Sequence, residues 1–148
     1  MTDPNFPAVA AAIRNTLEGQ GFTQLIGAEV VSVEPGVVVM AVGRRAELLQ
    51  QNGLFHGGVL AYLIDNATTA AAGTVIDRAT RTVITAEYKI NLVSPSVGDR
   101  LTCRAEVVKP GRLLTVVDAK VTCRTDGAEK LVAVALATIA NLDVGKAT

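Results

Sequence analysis

The stretch from Gly57 to Ile76, "GGVLAYLIDNATTAAAGTVI", holds no lysine or arginine and constrains this chain more than any other segment. A helix of that length and apolarity is either a membrane span or the buried axis of a water-soluble fold. Asp65, Asn66, Thr68, Thr69 and three glycines lie inside it. A central aspartate alone costs about 2.5–3.5 kcal/mol on insertion into a bilayer. A helix enclosed by its own protein is therefore expected, and a membrane partner is not.

The flanking segments say what encloses it. Pro7 to Leu17 reads as a helix, with Val9, Ile13 and Leu17 at four-residue spacing and Gly19 and Gly21 as its stop. "AEVVSVEPGVVVMAV" reads as two strands turning at Pro35-Gly36. "GRRAELLQQNGLF" is a polar connection with room for one helical turn. Four strands follow the central helix: "RTVITAEYKINLV", "RLTCRAEVV", "LLTVVDAKVTCR" and "EKLVAVALATIANL". The last three are joined by turns at "KPGR" (109–112) and Asp126-Gly127, so they run antiparallel. Strands on both sides of one apolar helix give an α+β fold, an antiparallel sheet wrapped around that helix. "LVAVALATIA" is apolar on both faces, which predicts that another subunit covers the outside of the sheet.

At 148 residues the chain is read as a single domain, 1–148. Lys plus Arg and Asp plus Glu are both 14. That balance gives no reason to expect a nucleic-acid partner. The N-terminal residues lack a basic segment followed by an apolar one, so no secretory leader is expected. The "KPGR" turn would place Cys103 opposite Asp118 and Cys123 opposite Gly98, roughly 17 Å out of register for a disulfide. Two core thiols in a reducing, cytoplasmic setting are expected.

The chemistry is concentrated in "HGGVLAYLID". Gly57 and Gly58 open the helix, where the first N–H groups have no internal acceptors and the backbone carries partial positive charge. Such a site suits a developing oxyanion. Asp65 stands eight residues on, among Leu60, Tyr62, Leu63, Ile64 and Ala67, where an ionised carboxylate is costly without a partner. Thr68 and Thr69 share its side of the helix. Eight residues of helix span about 12 Å, too far for Gly57 and Asp65 of one chain to act on one carbonyl. If they serve one site, a two-fold dimer with antiparallel helices supplies Gly57 from one chain and Asp65 from the other. His56, the only histidine, is read as structural or orienting rather than as an acid–base group. Gln50, Gln51 and Asn52 are neutral amides in the approach loop, able to donate to a carbonyl oxygen.

These residues resemble the hotdog-fold acyl-CoA thioesterases, in particular the phenylacetate-pathway and 4-hydroxybenzoyl-CoA subtype. The resemblance rests on His-Gly-Gly with an acid nine residues after the histidine, on "LVSPSVGDRL" and on "KPGRLLTVVDAKV", and it runs over nearly the whole chain. It implies a hotdog fold, dimers pairing into a homotetramer, and sites at the dimer interface. By match, Gly57 supplies the oxyanion-binding N–H, and Asp65 attacks the thioester carbonyl or activates water. Gln50, His56 and Thr69 join them as catalytic candidates. Asn52, Gly58 and Thr85, the last on the polar face of its strand, are candidates for substrate binding. Lys89, Lys109 and Arg112 are candidates for the phosphates of coenzyme A. Many members carry Asn six residues before the histidine where this chain has Gln50. No metal and no cofactor beyond the coenzyme A of the substrate are expected. The alternatives are a hotdog enoyl-CoA hydratase or dehydratase, and a non-catalytic acyl-CoA-binding module.

Overall fold

A computed structural model describes residues 4–145. Two helices, α1 (Phe6–Glu18) and α2 (Gly21–Ile26), precede the strands β1 (Ala28–Glu34) and β2 (Val37–Gly43). A 3-10 turn at Ala46–Leu48 leads to the long helix α3 (Gly57–Gly73). Strands β3 (Arg81–Leu92), β4 (Arg100–Lys109), β5 (Leu114–Thr125) and β6 (Ala128–Asp143) follow. All six strands form one antiparallel sheet in the order β1-β2-β4-β5-β6-β3. Helix α3 packs against β2, β3, β4, β5 and β6, so the sheet wraps it as expected. Gly21, read from sequence as a stop, instead opens the short helix α2.

The core forms because one side of the sheet and most of α3 are apolar together. Leu60, Leu63, Ile64, Ala67 and Ala71 of the helix share one buried cluster with Met40, Leu101, Cys103, Val117, Val121 and Ile139 of the strands. Small residues at 67 and 70–73 let the sheet approach the C-terminal half of the helix closely. The helix end is tied down by Thr74, whose Oγ donates to Ala71 O at 2.6 Å and accepts the Gly36 N–H at 2.7 Å. The Asp126-Gly127 turn has positive φ at both central residues (50° and 80°), the geometry that matches the twist of a two-residue hairpin. No helix among the described residues is long and apolar enough to cross a membrane.

Two register expectations are corrected. In the β4–β5 hairpin Cys103 lies opposite Val121, and Cys123 opposite Leu101. The loop is wider than the "KPGR" turn alone, with Lys109 paired to Val116, and a bulge between Val107 and Lys109 shifts the register by one further residue in the opposite sense. The thiols are thus diagonal neighbours, about 7–8 Å apart by strand geometry and still beyond disulfide reach. Both are free and buried. On the first part of β3, Val83 and Thr85 face the core and the apolar Ile84 points away from it. A bulge between Thr85 and Glu87 then reverses the alternation, so that Tyr88, Ile90 and Leu92, opposite Ala137, Ala135 and Ala133, turn to that same inner face, with Tyr88 and Leu92 left partly exposed.

The "SVGD" segment explains itself by crowding. A Cβ on Gly98 would sit 2.2 Å from Arg124 O and 2.7 Å from Cys123 Sγ. Asp99 next to it donates its N–H to Arg124 O at 2.9 Å, and its carboxylate takes two hydrogen bonds from Arg124 Nε and Nη2. The Arg124 guanidinium holds the Asp99 carboxyl below its usual range. Gly98→Ala is expected to lower stability by about 3 kcal/mol or more, because the obstacle is backbone and cannot rotate away. The urea midpoint at constant slope checks this.

Candidate functional site

The loop before α3 is built to present the helix N-terminus. The His56 N–H donates to Leu48 O at 2.8 Å. Phe55 is buried and exchanges hydrogen bonds with Ser96, its N–H donating to Ser96 O at 3.1 Å and the Ser96 hydroxyl to Phe55 O at 3.2 Å. His56 is the N-cap of α3: its Nδ1 accepts the Gly58 N–H at 3.0 Å. With Nδ1 accepting, Nε2 is the ring nitrogen left to donate. The two glycines therefore differ. The Gly58 amide is consumed by the cap, whereas the Gly57 N–H has no acceptor among the described residues.

Gly57 lines a cleft of about 420 Å³ together with Gln50, Leu54, Leu60, Leu92 and the Ser94–Ser96 segment. The "SP" of the "SPSVGD" motif is thus the wall facing the glycine turn. Gln50 reaches this cleft, and its Oε1 accepts the N–H of Asn52. That bond orients the Gln50 amide so that its NH₂ is the end left to donate. The Asn52 side chain is exposed and does not line the cleft.

Asp65 sits two turns along α3, half-buried. Thr85 Oγ donates to Asp65 Oδ1 at 2.6 Å, and Thr85 Oγ lies 2.6 Å from Thr69 Oγ. Asp65, Thr85 and Thr69 form one chain of hydrogen bonds between α3 and β3. Thr68, the other hydroxyl on that side, donates instead to Ile64 O and Asp65 O. Asp65 Oδ2 accepts nothing among the described residues, and no buried polar side-chain atom there lacks a partner. Oδ2 therefore opens to solvent. One oxygen is held and the other is free, the arrangement a general base or nucleophile needs.

The structure brings the candidate residues into two groups along α3: Gly57, Gln50 and His56 at its N-terminus, and Asp65, Thr69 and Thr85 at its middle. Lys89, Lys109 and Arg112 join neither group. Lys89 lies on the outer face beside Val134 and Leu136. Lys109 ends β4, and Arg112 lies in the β4–β5 loop, its carbonyl accepting from Arg81. Among the described residues no three His, Cys, Asp or Glu side chains cluster as a metal site would.

A polar network beside Asp65 is not foreseen from the sequence. Asn66 Nδ2 donates to Gln20 Oε1 at 2.9 Å and to Tyr62 Oη at 2.8 Å. Tyr62 Oη bonds Thr23, and its ring meets Phe22 edge-on at 5.0 Å. The network fixes α2 on α3. The signal was present: Tyr62, Asp65, Asn66 and Thr69 fall at helical spacing on one side of an otherwise apolar helix.

Residues 52–130 match the Thioesterase superfamily. The chain is 31% identical over 120 residues to a 1,4-dihydroxy-2-naphthoyl-CoA hydrolase of Listeria monocytogenes serotype 1/2a, a match covering 81% of this chain and 94% of that protein. It is 27% identical over 123 residues to acyl-coenzyme A thioesterase 13 of Homo sapiens, covering 82% of this chain and 85% of that one. The crystal structure of a thioesterase family protein from Silicibacter pomeroyi superposes with a TM-score of 0.87 at 32% identity, covering 94% of this chain and 99% of that one.

Proposed function

We propose that this chain, which belongs to the thioesterase superfamily, hydrolyses an acyl-CoA thioester to the free acid and coenzyme A. The observation that carries the reading is the Asp65 carboxylate, with Oδ1 held by Thr85 and Oδ2 open. The similarity to a 1,4-dihydroxy-2-naphthoyl-CoA hydrolase and to an acyl-coenzyme A thioesterase supports a small aryl- or acyl-CoA as the substrate class.

The site is completed by a second copy of the chain. Strand β3 is twelve residues long and lies at the sheet edge, paired only with β6. Its Ile84 and Leu92 are 55% and 60% exposed. A long apolar edge of this kind calls for cover. Helix α3 likewise leaves a stripe incompletely buried, at Gly57, Ala61, Tyr62, Asp65 and Thr69. Antiparallel helices related by a two-fold axis near Ala61 bring Gly57 of each chain to Asp65 of the other, and the small side chain at 61 permits close approach. The exposed Leu131 and Leu136 on the outer face of β6 support pairing of such dimers into a tetramer.

In this arrangement the thioester carbonyl oxygen accepts from the N–H of Gly57 of the partner subunit, with the partner subunit's Gln50 amide close by. Asp65 Oδ2 either takes a proton from water as the water oxygen attacks the carbonyl carbon, or attacks that carbon itself. In the first route the tetrahedral oxyanion collapses, the C–S bond breaks and the thiolate leaves. In the second the C–S bond breaks as an anhydride with Asp65 forms, which water then opens. Thr85 and Thr69 hold the carboxylate in place on either route. His56 positions the glycine turn through its cap.

A thiol-release assay over aryl, short-chain and long-chain CoA esters tests the reading. Burial pushes the Cys103 thiol up to about 12 and also raises that of Cys123, so the protein's own thiols contribute little background. Steady thiol release is expected. Hydration of an enoyl-CoA without thiol release would assign a hydratase instead, and tight binding without turnover a sensor. The hydratase reading is disfavoured because the only histidine has its Nδ1 committed to Gly58.

A further inference from the structure

A second, smaller cavity lies between α1, α3 and β3. It holds about 190 Å³ and is lined by Ile13 and Val83 on one side and by Gln20, Asn66, Thr69 and Arg78 on the other. It adjoins the Asp65 group directly, because Thr69 lines it and is bonded to Thr85, which holds Asp65. Resting on the thioesterase reading above, we infer that this cavity takes the distal end of the acyl group, and that Arg78 selects acyl groups ending in a carboxylate. The preferred substrate class is then the mono-CoA thioester of a short dicarboxylic acid.

Three observations carry this. Arg78 is the only charged side chain lining the cavity. It makes no hydrogen bond or ion pair among the described residues, while the adjacent Asp77 is spent on its own turn, accepting from the Ala79 N–H at 3.0 Å and the Thr80 hydroxyl at 2.9 Å. A guanidinium without a carboxylate matches one in bidentate geometry. The neutral amides are also part-used: Gln20 Oε1 accepts from Asn66 Nδ2, which leaves Gln20 Nε2 as a donor and Asn66 Oδ1 as an acceptor. The amides thus balance each other, and Arg78 alone gives the polar side its charge. The volume sets the length. A cavity of about 150 Å³ accepts a benzene ring, so this one accommodates a chain of about six carbons.

The test compares adipyl-CoA with hexanoyl-CoA, equal in carbon number and differing in the terminal carboxylate. With wild-type protein, kcat/KM for the adipyl ester is expected to exceed that for the hexanoyl ester by about tenfold or more, the scale of a charge-assisted hydrogen bond. Arg78→Gln is expected to collapse that ratio toward one, and Arg78→Lys to restore part of it. Equal values for the two esters in the wild type would overturn the inference. So would a ratio that survives Arg78→Gln while both values fall, because Arg78 would then serve the coenzyme common to both. Calorimetric titration with the non-hydrolysable adipyl and hexanoyl thioethers of CoA reads the same preference without turnover. Preference in binding with no hydrolysis of any ester keeps the cavity assignment and removes the thioesterase reading. Hydrolysis with no preference removes the cavity assignment alone.

Discussion

Asp65→Asn is expected to cut kcat/KM for a hydrolysed CoA ester by about 10²–10⁴-fold, the contribution of a positioned base. The substitution changes little else. Asparagine keeps an oxygen where Thr85 Oγ donates to Oδ1 at 2.6 Å, and the Thr69–Thr85 bond is untouched. The melting temperature should stay within about 3 °C of wild type, since a 1 kcal/mol change moves a chain of this size by about 2–4 °C. Turnover near the wild-type rate would remove Asp65 from the chemistry and leave it as a structural acid. A single turnover in isotope-labelled water separates the two routes, because label enters the Asp65 side chain only if its carboxylate attacks the carbonyl.

Gly57→Pro should lower kcat by about 10²–10³-fold, the cost of losing one oxyanion donor. Proline removes the N–H and is tolerated at the first position of a helix, where that N–H has no internal acceptor anyway. His56 already has the extended conformation required before proline (φ −63°, ψ 136°). Gly57→Ala is the control. Its Cβ would lie 3.5 Å from Leu92 Cδ1, ordinary contact, and the N–H is retained, so its kcat should stay within a fewfold of wild type. Loss of activity in the alanine variant equal to that in the proline variant would assign the effect to shape rather than to the donor.

The helix and its wrapping sheet were legible because each has one dominant signal. An apolar run with no basic residue has few places to go, and the Pro35-Gly36 and Asp126-Gly127 turns fix which strands are neighbours. Registers were not legible where loops widen or bulges intervene: a β4–β5 loop wider than its turn residues moved the cysteines, and a bulge near Thr85 put Val83 and Thr85 on the same face as Tyr88, Ile90 and Leu92. Thr85 shows the consequence. It lies just before the bulge, where the odd-numbered residues of β3 face the helix, which is how it reaches Asp65. Asp65 and Gly57 stood out because a carboxylate in an apolar helix and paired glycines at its start break the surrounding pattern. Arg78 and Gln20 break no pattern locally. They matter only through contacts between α1, α3 and the loop before β3, which spacing along one element does not encode.

The central claim is that Gly57 and Asp65 of a single chain belong to different sites. Mixing the Asp65→Asn and Gly57→Pro chains under conditions that exchange subunits tests it most directly. Each heterodimer then holds one site with Gly57 and Asp65 both intact and one site with neither. Equal amounts of the two chains, assorting at random, should recover about a quarter of the wild-type activity from two nearly inactive parents. Activity no greater than the sum of the two parents, with heterodimers demonstrably present, would place both residues in one chain's site and contradict the account.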